Sequence, residues 1–122
     1  MKVIEVKNLN FTKLEKENCL LCLLDKTEHY DVMIAKIEPR QTLTMHRHNR
    51  PKNGDEVFVF FKGGDFKVLS DKETKEFHVT HPVIIRFKSG EPHSVVNLSD
   101  KELEFFGFYI PPFQSGEVEV LE

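Results

Sequence analysis

The sequence predicts an all-β protein, a sandwich or barrel of antiparallel strands. Short runs of β-branched and aromatic residues alternate with turn residues along the whole chain, as is typical of all-β folds. No segment longer than about ten residues shows a helical period of apolar positions. The chain has 122 residues, a length that suits one domain. We therefore expect a single domain over residues 1–122, a β-barrel preceded by a short N-terminal arm.

The strands are expected wherever such a run is bounded by turn chemistry. The segments "DKTEH", "NG", "GGD", "SDKET" and "SGEP" supply the reversals, and "PPF" ends the last long strand because proline cannot donate to a ladder. In chain order the predicted strands are Val3–Val6, Cys19–Leu24, Tyr30–Ile37, Leu43–His48, Glu56–Phe61, Phe66–Leu69, Glu76–Thr80, Val83–Phe87, His93–Asn97, Leu103–Ile110 and Val118–Leu121.

Composition excludes several functional classes. The net charge is −3, and the basic residues are scattered rather than clustered, which argues against a nucleic-acid partner. No long apolar run and no signal-like N-terminus occurs, so we expect no membrane role and a cytoplasmic location. Cys19 and Cys22 have CxxC spacing, but on a strand residues i and i+3 point to opposite faces, and we expect plain core cysteines.

The fifth predicted strand is apolar on both faces. One face carries Glu56, Phe58 and Phe60, and the other carries Val57, Val59 and Phe61. A solvent-facing sheet normally alternates apolar with polar residues, so the outer face needs a cover. That cover is either the N-terminal arm or a second subunit. With Met45 as a further apolar contributor, we predict a homodimer.

The stretch "TMHRHNRPKNGDEVFVFF" carries the first indication of chemistry. His46 and His48 are two residues apart on a predicted strand, so their imidazoles project to the same side. A carboxylate on a neighbouring strand, reached through the hairpin that residues 49–55 could form, would add a third ligand. His93 opens a later strand and could add a fourth. Three imidazoles and a carboxylate suit Zn, Fe(II), Mn(II), Ni(II) or Cu(II).

Two motifs resemble those of the cupin superfamily, in its small single-domain form. The first is His46-x-His48 followed by Glu56 and Gly63, and the second is "PVIIRFKSGEPHSVVN", with Gly90, His93 and Asn97. The resemblance covers about residues 30–112 and leaves residues 1–29 as an arm. It implies a cupin double-stranded β-helix, that is, a jelly-roll barrel with an N-terminal strand extension.

The resemblance also implies a ligand set: His46, His48, Glu56 and His93 around one divalent transition metal (Zn, Fe, Mn or Ni). Seven residues separate His48 from Glu56, more than the family pattern has, and Asn53 and Asp55 are near enough to compete with Glu56. Among the other histidines, His78 is the reserve candidate if His93 does not serve.

A small-molecule pocket is expected beside the metal. Phe58 and Phe60 share the face of Glu56 and would line it. Arg86 lies in the middle of an apolar run, and either anchors an anionic substrate or forms a surface ion pair. Tyr109 and Lys62 are unranked candidates for a general base.

Three functions are compatible with these residues. The first is a metal-dependent enzyme, an isomerase, oxygenase or decarboxylase, acting on a small oxygen-rich molecule. The second is a non-catalytic module that binds a metal and a small ligand, as a sensor or store. The third is a metal-free sugar-nucleotide epimerase or ketoisomerase, against which the complete ligand set argues. A fold of this kind hosts many reactions, so the choice depends on the site.

Overall fold

The computed structural model describes residues 1–121 and consists of two antiparallel sheets. Its strands are β1 Thr12–Leu14, β2 Cys19–Lys26, β3 Asp31–Ile37, β4 Thr42–His48, β5 Asp55–Phe60, β6 Gly64–Ser70, β7 Thr74–Val79, β8 Val83–Phe87, β9 His93–Asn97, β10 Leu103–Ile110 and β11 Val118–Val120. One sheet has the order β1-β2-β3-β10-β5-β8 and the other the order β11-β4-β9-β6-β7. The all-β prediction is therefore confirmed.

The core lies between the two sheets because the strands alternate as the sequence predicts. On β5, Glu56, Phe58 and Phe60 are buried, whereas Val57 and Val59 are partly exposed. Aromatic rings fill much of the interior. Phe60 stacks on Phe66, with ring centroids 4.2 Å apart, and burial of one such side chain contributes roughly 1.5–3 kcal/mol.

The N-terminal arm differs from the prediction. Residues Val3–Val6 form no strand, whereas Thr12–Leu14 does, pairing with β2. Ile4 and Val6 instead lie beside the outer face of the six-stranded sheet, where they share a depression with Val32, Phe106 and Phe108. Ile4 and Val6 thus contact a sheet face without joining a hydrogen-bonded ladder.

The prediction of a hairpin between β4 and β5 is wrong. β4 pairs with β9 and β11 in one sheet, while β5 pairs with β10 and β8 in the other. The connecting loop contains a short 3₁₀ turn, Pro51–Asn53, and crosses from one sheet to the other. As a result Met45 does not share a sheet with Val57 and Val59.

Asn97 closes the end of the barrel opposite this loop. Its side-chain amide donates to the carbonyl oxygens of Ile37, Glu38 and Lys101 at 2.7–3.2 Å. Asn97 therefore ties the ends of neighbouring strands together through its side chain. Within residues 1–121 no helix has the length and apolar character needed to cross a bilayer.

Candidate metal centre

Four side chains from the two sheets converge inside the barrel. His46 and His48 lie on β4, and His93 is the β9 partner of His46 in the ladder. Glu56 reaches them from β5 in the opposite sheet. All four are buried, and each offers a ligand atom within 4.8 Å of the others. The structure thus brings together the four residues that the cupin resemblance implies.

The backbone and a carboxylate orient the three imidazoles. His46 Nδ1 lies 2.7 Å from the Thr44 carbonyl oxygen, and His93 Nδ1 lies 2.9 Å from that of Glu91. His48 Nδ1 lies 2.9 Å from Glu117 Oε2. Each Nδ1 faces an acceptor, so in the neutral form of each ring Nδ1 carries the hydrogen and Nε2 carries the lone pair.

The arrangement of Glu56 and His93 fits metal coordination better than a hydrogen bond between the two side chains. Glu56 Oε1 is 2.8 Å from His93 Nε2, yet the two atoms do not have hydrogen-bond geometry, and both lack a hydrogen-bond partner among the described residues. Buried polar atoms are rarely left unpaired. Two unpaired ligand atoms at this separation, with His48 Nε2 3.2 Å from Glu56 Oε2, fit coordination of one ion by nitrogen and oxygen.

The protonation states of Glu56 and His46 also suit a cation. Burial acts to raise the pKa of Glu56, but the positive charge that His93 and His48 can carry and the Tyr109 hydroxyl lower it to about 2. Burial and the neighbouring His93 lower the pKa of His46 to about 4. Burial opposes protonation of His93, but Glu56 outweighs it and raises its pKa. Near neutral pH the site therefore holds a carboxylate and a neutral His46.

A second layer of charged side chains supports His48. Besides contacting His48, Glu117 accepts a hydrogen bond from Arg50 Nη1 at 2.6 Å and one from the Gln114 backbone N–H at 2.8 Å. Arg50, whose side chain is fully buried, also donates to the Pro111 carbonyl oxygen and stacks over the Tyr109 ring. Tyr109 donates to Glu56 Oε2, and burial followed by the Glu56 charge raises the Tyr109 pKa well above 10.

A cavity of about 250 Å³ adjoins three of the four ligand candidates. His46, His48, Glu56 and Tyr109 form one wall, and Phe58 lies beside them. The mouth lies where β1 turns into β2 and where the chain passes from β10 to β11. There Glu17, Phe113 and Val118 line both the cavity and a shallower outer depression. Ligand sites are commonly concave, mostly apolar cavities with a few polar groups.

Three of the residues that could have lined the pocket lie elsewhere. Phe60 is fully buried in the core, deeper than the cavity wall. Arg86 points away from the interior, its side chain 67% exposed, and pairs with Asp55 at 3.5 Å. The substrate-anchor role for Arg86 is therefore corrected to the surface ion pair, because its strand turns it outward. Lys62 is likewise outside, 3.7 Å from Glu104.

The alternatives to the ligand candidates are also outside the barrel. Asn53 is exposed in the 3₁₀ turn, and Asp55 faces Arg86, opposite in direction to Glu56. His78 is exposed and lies 3.0 Å from Asp65.

The two cysteines point to opposite sides of their strand. Cys19 faces the cavity and Cys22 the outer side, and both are free thiols. Burial raises the pKa of Cys19 to about 12.

Sequence reasoning missed Arg50 and Glu117. Arg50 follows His48 by two residues, as His48 follows His46, so the same-face spacing in "HRHNR" was an available signal. Glu117 is 69 residues from its partner His48. Only the pairing of β11 with β4 brings them together.

Comparison with known proteins supports the fold. No protein-family model matches the chain, and no curated protein matches its sequence. Among solved structures, it is similar to the polyketide cyclase RemF from Streptomyces resistomycificus, with a TM-score of 0.78 and 14% identity over 100% of this chain and 86% of that one. It is similar to a predicted oxalate decarboxylase from Thermotoga maritima, with a TM-score of 0.72 and 15% identity over 90% and 99%.

The Cnp3 cupin domain of Schizosaccharomyces pombe is a third similar structure, with a TM-score of 0.66 and 10% identity over 88% of this chain and 72% of that one. Identities this low bear on architecture alone. The chain has the cupin fold, a double-stranded β-helix with a His₃Glu group inside it. The fold implied by the two sequence motifs is thereby confirmed.

Proposed function

We propose that this protein binds one divalent transition metal through His46, His48, Glu56 and His93. The observation that carries the proposal is the pair of buried atoms Glu56 Oε1 and His93 Nε2, 2.8 Å apart and without hydrogen-bond geometry. Three imidazole nitrogens and one carboxylate oxygen suit Zn, Fe, Mn or Ni. The orientation of each ring through Nδ1 is the arrangement that metal-binding histidines normally have.

We further propose that the site is an enzyme active site for a small molecule held in the adjoining cavity. Four protein ligands leave one or two positions open on a five- or six-coordinate ion, which would supply Lewis-acid chemistry to a bound oxygen group. The opening of the 250 Å³ cavity onto the ligand candidates supports access of a substrate. The similarity to RemF, a polyketide cyclase, and to a predicted oxalate decarboxylase supports catalysis on this fold.

Among the described residues, Tyr109 is the best candidate for a hydroxyl that donates a hydrogen bond to a bound ligand. It lines the cavity and donates to Glu56. A tyrosine whose pKa is raised well above 10 stays protonated near neutral pH. It can therefore hold the Glu56 carboxylate in one orientation, and can donate a hydrogen bond to a bound oxygen group if Glu56 turns.

The second candidate is a binding module without turnover. It is favoured by the scarcity of free acid or base groups in the cavity. Apart from the proposed ligands and Tyr109, Glu17 is the only ionisable residue besides Cys19 among the described residues that line it. A ligand could be held there without any group ready to transform it.

Metal removal and reconstitution separate these candidates. Tag-free protein is stripped with a chelator, reloaded with Zn, Fe(II), Mn(II) or Ni(II), and screened for oxygen consumption and for isomerase and decarboxylase turnover. Activity that returns with metal and is absent in His48→Ala supports the enzyme. Metal uptake without turnover of any substrate supports the binding module. A chain that takes up none of the four metals contradicts both.

We propose a homodimer in a reducing, cytoplasmic compartment. The six-stranded sheet presents an apolar outer face that the arm covers only in part, with Val57 and Val59 partly exposed and Ile84 70% exposed. Two free cysteines suit a reducing compartment. Sedimentation at micromolar concentration is expected to give a dimer that Ile84→Glu weakens, with Thr80→Glu as the control. A monomeric wild-type protein would contradict it.

A further inference from the structure

The walls of the cavity are apolar almost throughout. Away from the proposed ligands, the residues that line it are mainly aliphatic or aromatic, among them Leu14, Leu21, Met33, Ala35, Phe58 and Phe105. Such walls make contacts of dispersion type and offer few hydrogen bonds. A ligand rich in hydroxyl groups would lose its hydration there without replacement, at roughly 1–3 kcal/mol for each unpaired group.

Positive charge is missing from these walls. Among the described residues, no lysine or arginine lines the cavity. Arg50 is close but does not line the cavity, and its two terminal nitrogens donate to Glu117 and to the Pro111 carbonyl oxygen. Lys16 lines only the outer depression, beside Glu17. A ligand with an anionic group remote from the metal would therefore be desolvated against carboxylates and apolar atoms.

From these two observations we propose that the ligand is a neutral, mostly apolar small molecule that presents one oxygen-bearing group to the metal. This inference rests on the proposed metal site. An apolar cavity of about 150 Å³ holds benzene, so the 250 Å³ here suits a body of roughly ten non-hydrogen atoms. A single substituted ring fits both the size and the walls. The oxygen-rich ligand expected from the sequence does not.

A set of hydroxamates tests this specificity, because all of the compounds carry the same metal-binding group. Nickel-loaded protein is titrated by calorimetry with benzohydroxamate, acetohydroxamate, 4-nitrobenzohydroxamate and 4-carboxybenzohydroxamate. Nitro and carboxylate groups are nearly isosteric but differ in charge, so this pair removes size as a cause. We expect benzohydroxamate to bind at least about 10-fold more tightly than acetohydroxamate, through the buried ring. We expect the carboxylate compound to bind at least about 10-fold more weakly than the nitro compound.

The contrast between a neutral nitro group and a charged carboxylate is also measured without metal. Nitrobenzene and benzoate are compared by NMR titration of the metal-free protein, and only nitrobenzene is expected to shift resonances of residues that line the cavity. Leu21→Lys places a cation on the partly exposed part of the wall, and should raise affinity for the 4-carboxy compound relative to the nitro compound. Leu21→Met is its neutral control.

The outcomes distinguish this inference from the metal proposal. Protein that takes up no metal contradicts the proposed function, while the nitrobenzene and benzoate pair still decides the ligand class. Equal affinity for the nitro and carboxylate compounds in metal-loaded protein overturns the apolar specificity and leaves the metal site standing. Failure of both nitrobenzene and benzohydroxamate to bind also overturns it.

Discussion

Glu56 Oε1 lies 2.8 Å from His93 Nε2, and the two residues stand on opposite sheets of the barrel. The contact joins β5 to β9 across the interior, at a depth where both side chains are almost fully buried. Without a metal the attraction between the two groups outweighs the cost of burying them, but the two atoms lack hydrogen-bond geometry and have no other partner. A shared cation would satisfy both atoms and bind the two sheets together.

Replacing Glu56 tests its place among the ligands. Loss of an outer residue that orients a ligand costs roughly 10–100-fold in metal affinity. Glu56→Ala, which removes a direct ligand, is therefore expected to lower affinity by at least about 100-fold in a competition assay with a chromogenic chelator. Asp55→Ala is the matched control, because that neighbouring carboxylate faces Arg86 outside the barrel. Equal affinity in the two variants would exclude Glu56 as a ligand.

Glu117 is expected to raise the metal affinity of the site by orienting His48. Glu117→Ala should lower metal affinity by roughly 10–100-fold, because the His48 ring loses its orienting acceptor. It should also destabilise the fold by roughly 3–5 kcal/mol, since Arg50 is left buried without its carboxylate.

Adding Arg50→Met to Glu117→Ala separates these effects. The double variant removes the buried charge and should recover much of the stability in urea denaturation, while its metal affinity stays low. If affinity returned together with stability, Glu117 would serve the fold and not the orientation of His48.

Acid should weaken the metal-free protein through His46. Its pKa is about 4 in the folded protein against 6.5 as the model value, so between these pH values the unfolded chain binds the extra proton. Stability therefore falls as pH drops from 6.5 towards 4, by at most roughly 3 kcal/mol. The raised pKa of His93 does not interfere, because its contribution is fully present below pH 6.5 and is lost only as pH rises.

Urea denaturation of stripped protein at several pH values between 4.5 and 6.5 measures this dependence. His46→Gln should reduce the slope of unfolding free energy against pH over that range, while the exposed His29 provides a control in His29→Gln. An unchanged slope in His46→Gln would show that His46 is not held neutral inside the barrel.

Metal should stabilise the folded chain. Free metal at 100 times its dissociation constant adds roughly 2.7 kcal/mol, which for a domain of this size corresponds to a rise in Tm of roughly 10 °C. Thermal unfolding of stripped protein with Zn, Mn or Ni measures the rise, and Mg, which prefers oxygen ligands, should give none. Equal shifts with Mg and Zn would indicate nonspecific binding to surface carboxylates.

Local periodicity predicts the strands of the barrel and the faces of their residues, whereas the full ligand set came from the resemblance to the two cupin motifs. Alternation along β5 placed Glu56 and Phe58 inside, and the spacing of the histidines placed their rings on one side. Which strands share a sheet is not encoded locally, so the β4–β5 hairpin was expected in error. The Glu117–His48 contact depends on the pairing of the last strand with β4, and no spacing rule reaches that far.

Arg86 illustrates a second limit of prediction from the sequence, which is the direction of a side chain on a strand. An arginine within an apolar run can lie on either face of a strand, and the run "PVIIRF" is apolar on both. The direction depends on which residues of β8 face inward. In the structure Phe87 is buried and Arg86 is therefore outside.

Metal content tests the central claim most directly. Tag-free protein is expressed in medium supplemented with Zn, Fe, Mn and Ni, and metal per chain is measured by mass spectrometry for the wild type, His93→Ala and His78→Ala. His78 is the matched control because it is a histidine beside Asp65 and Glu76, but exposed. We predict about one equivalent in the wild type and in His78→Ala, and a loss of nearly all of it in His93→Ala. Wild-type protein with no bound metal, or His93→Ala with a full equivalent, would contradict the account.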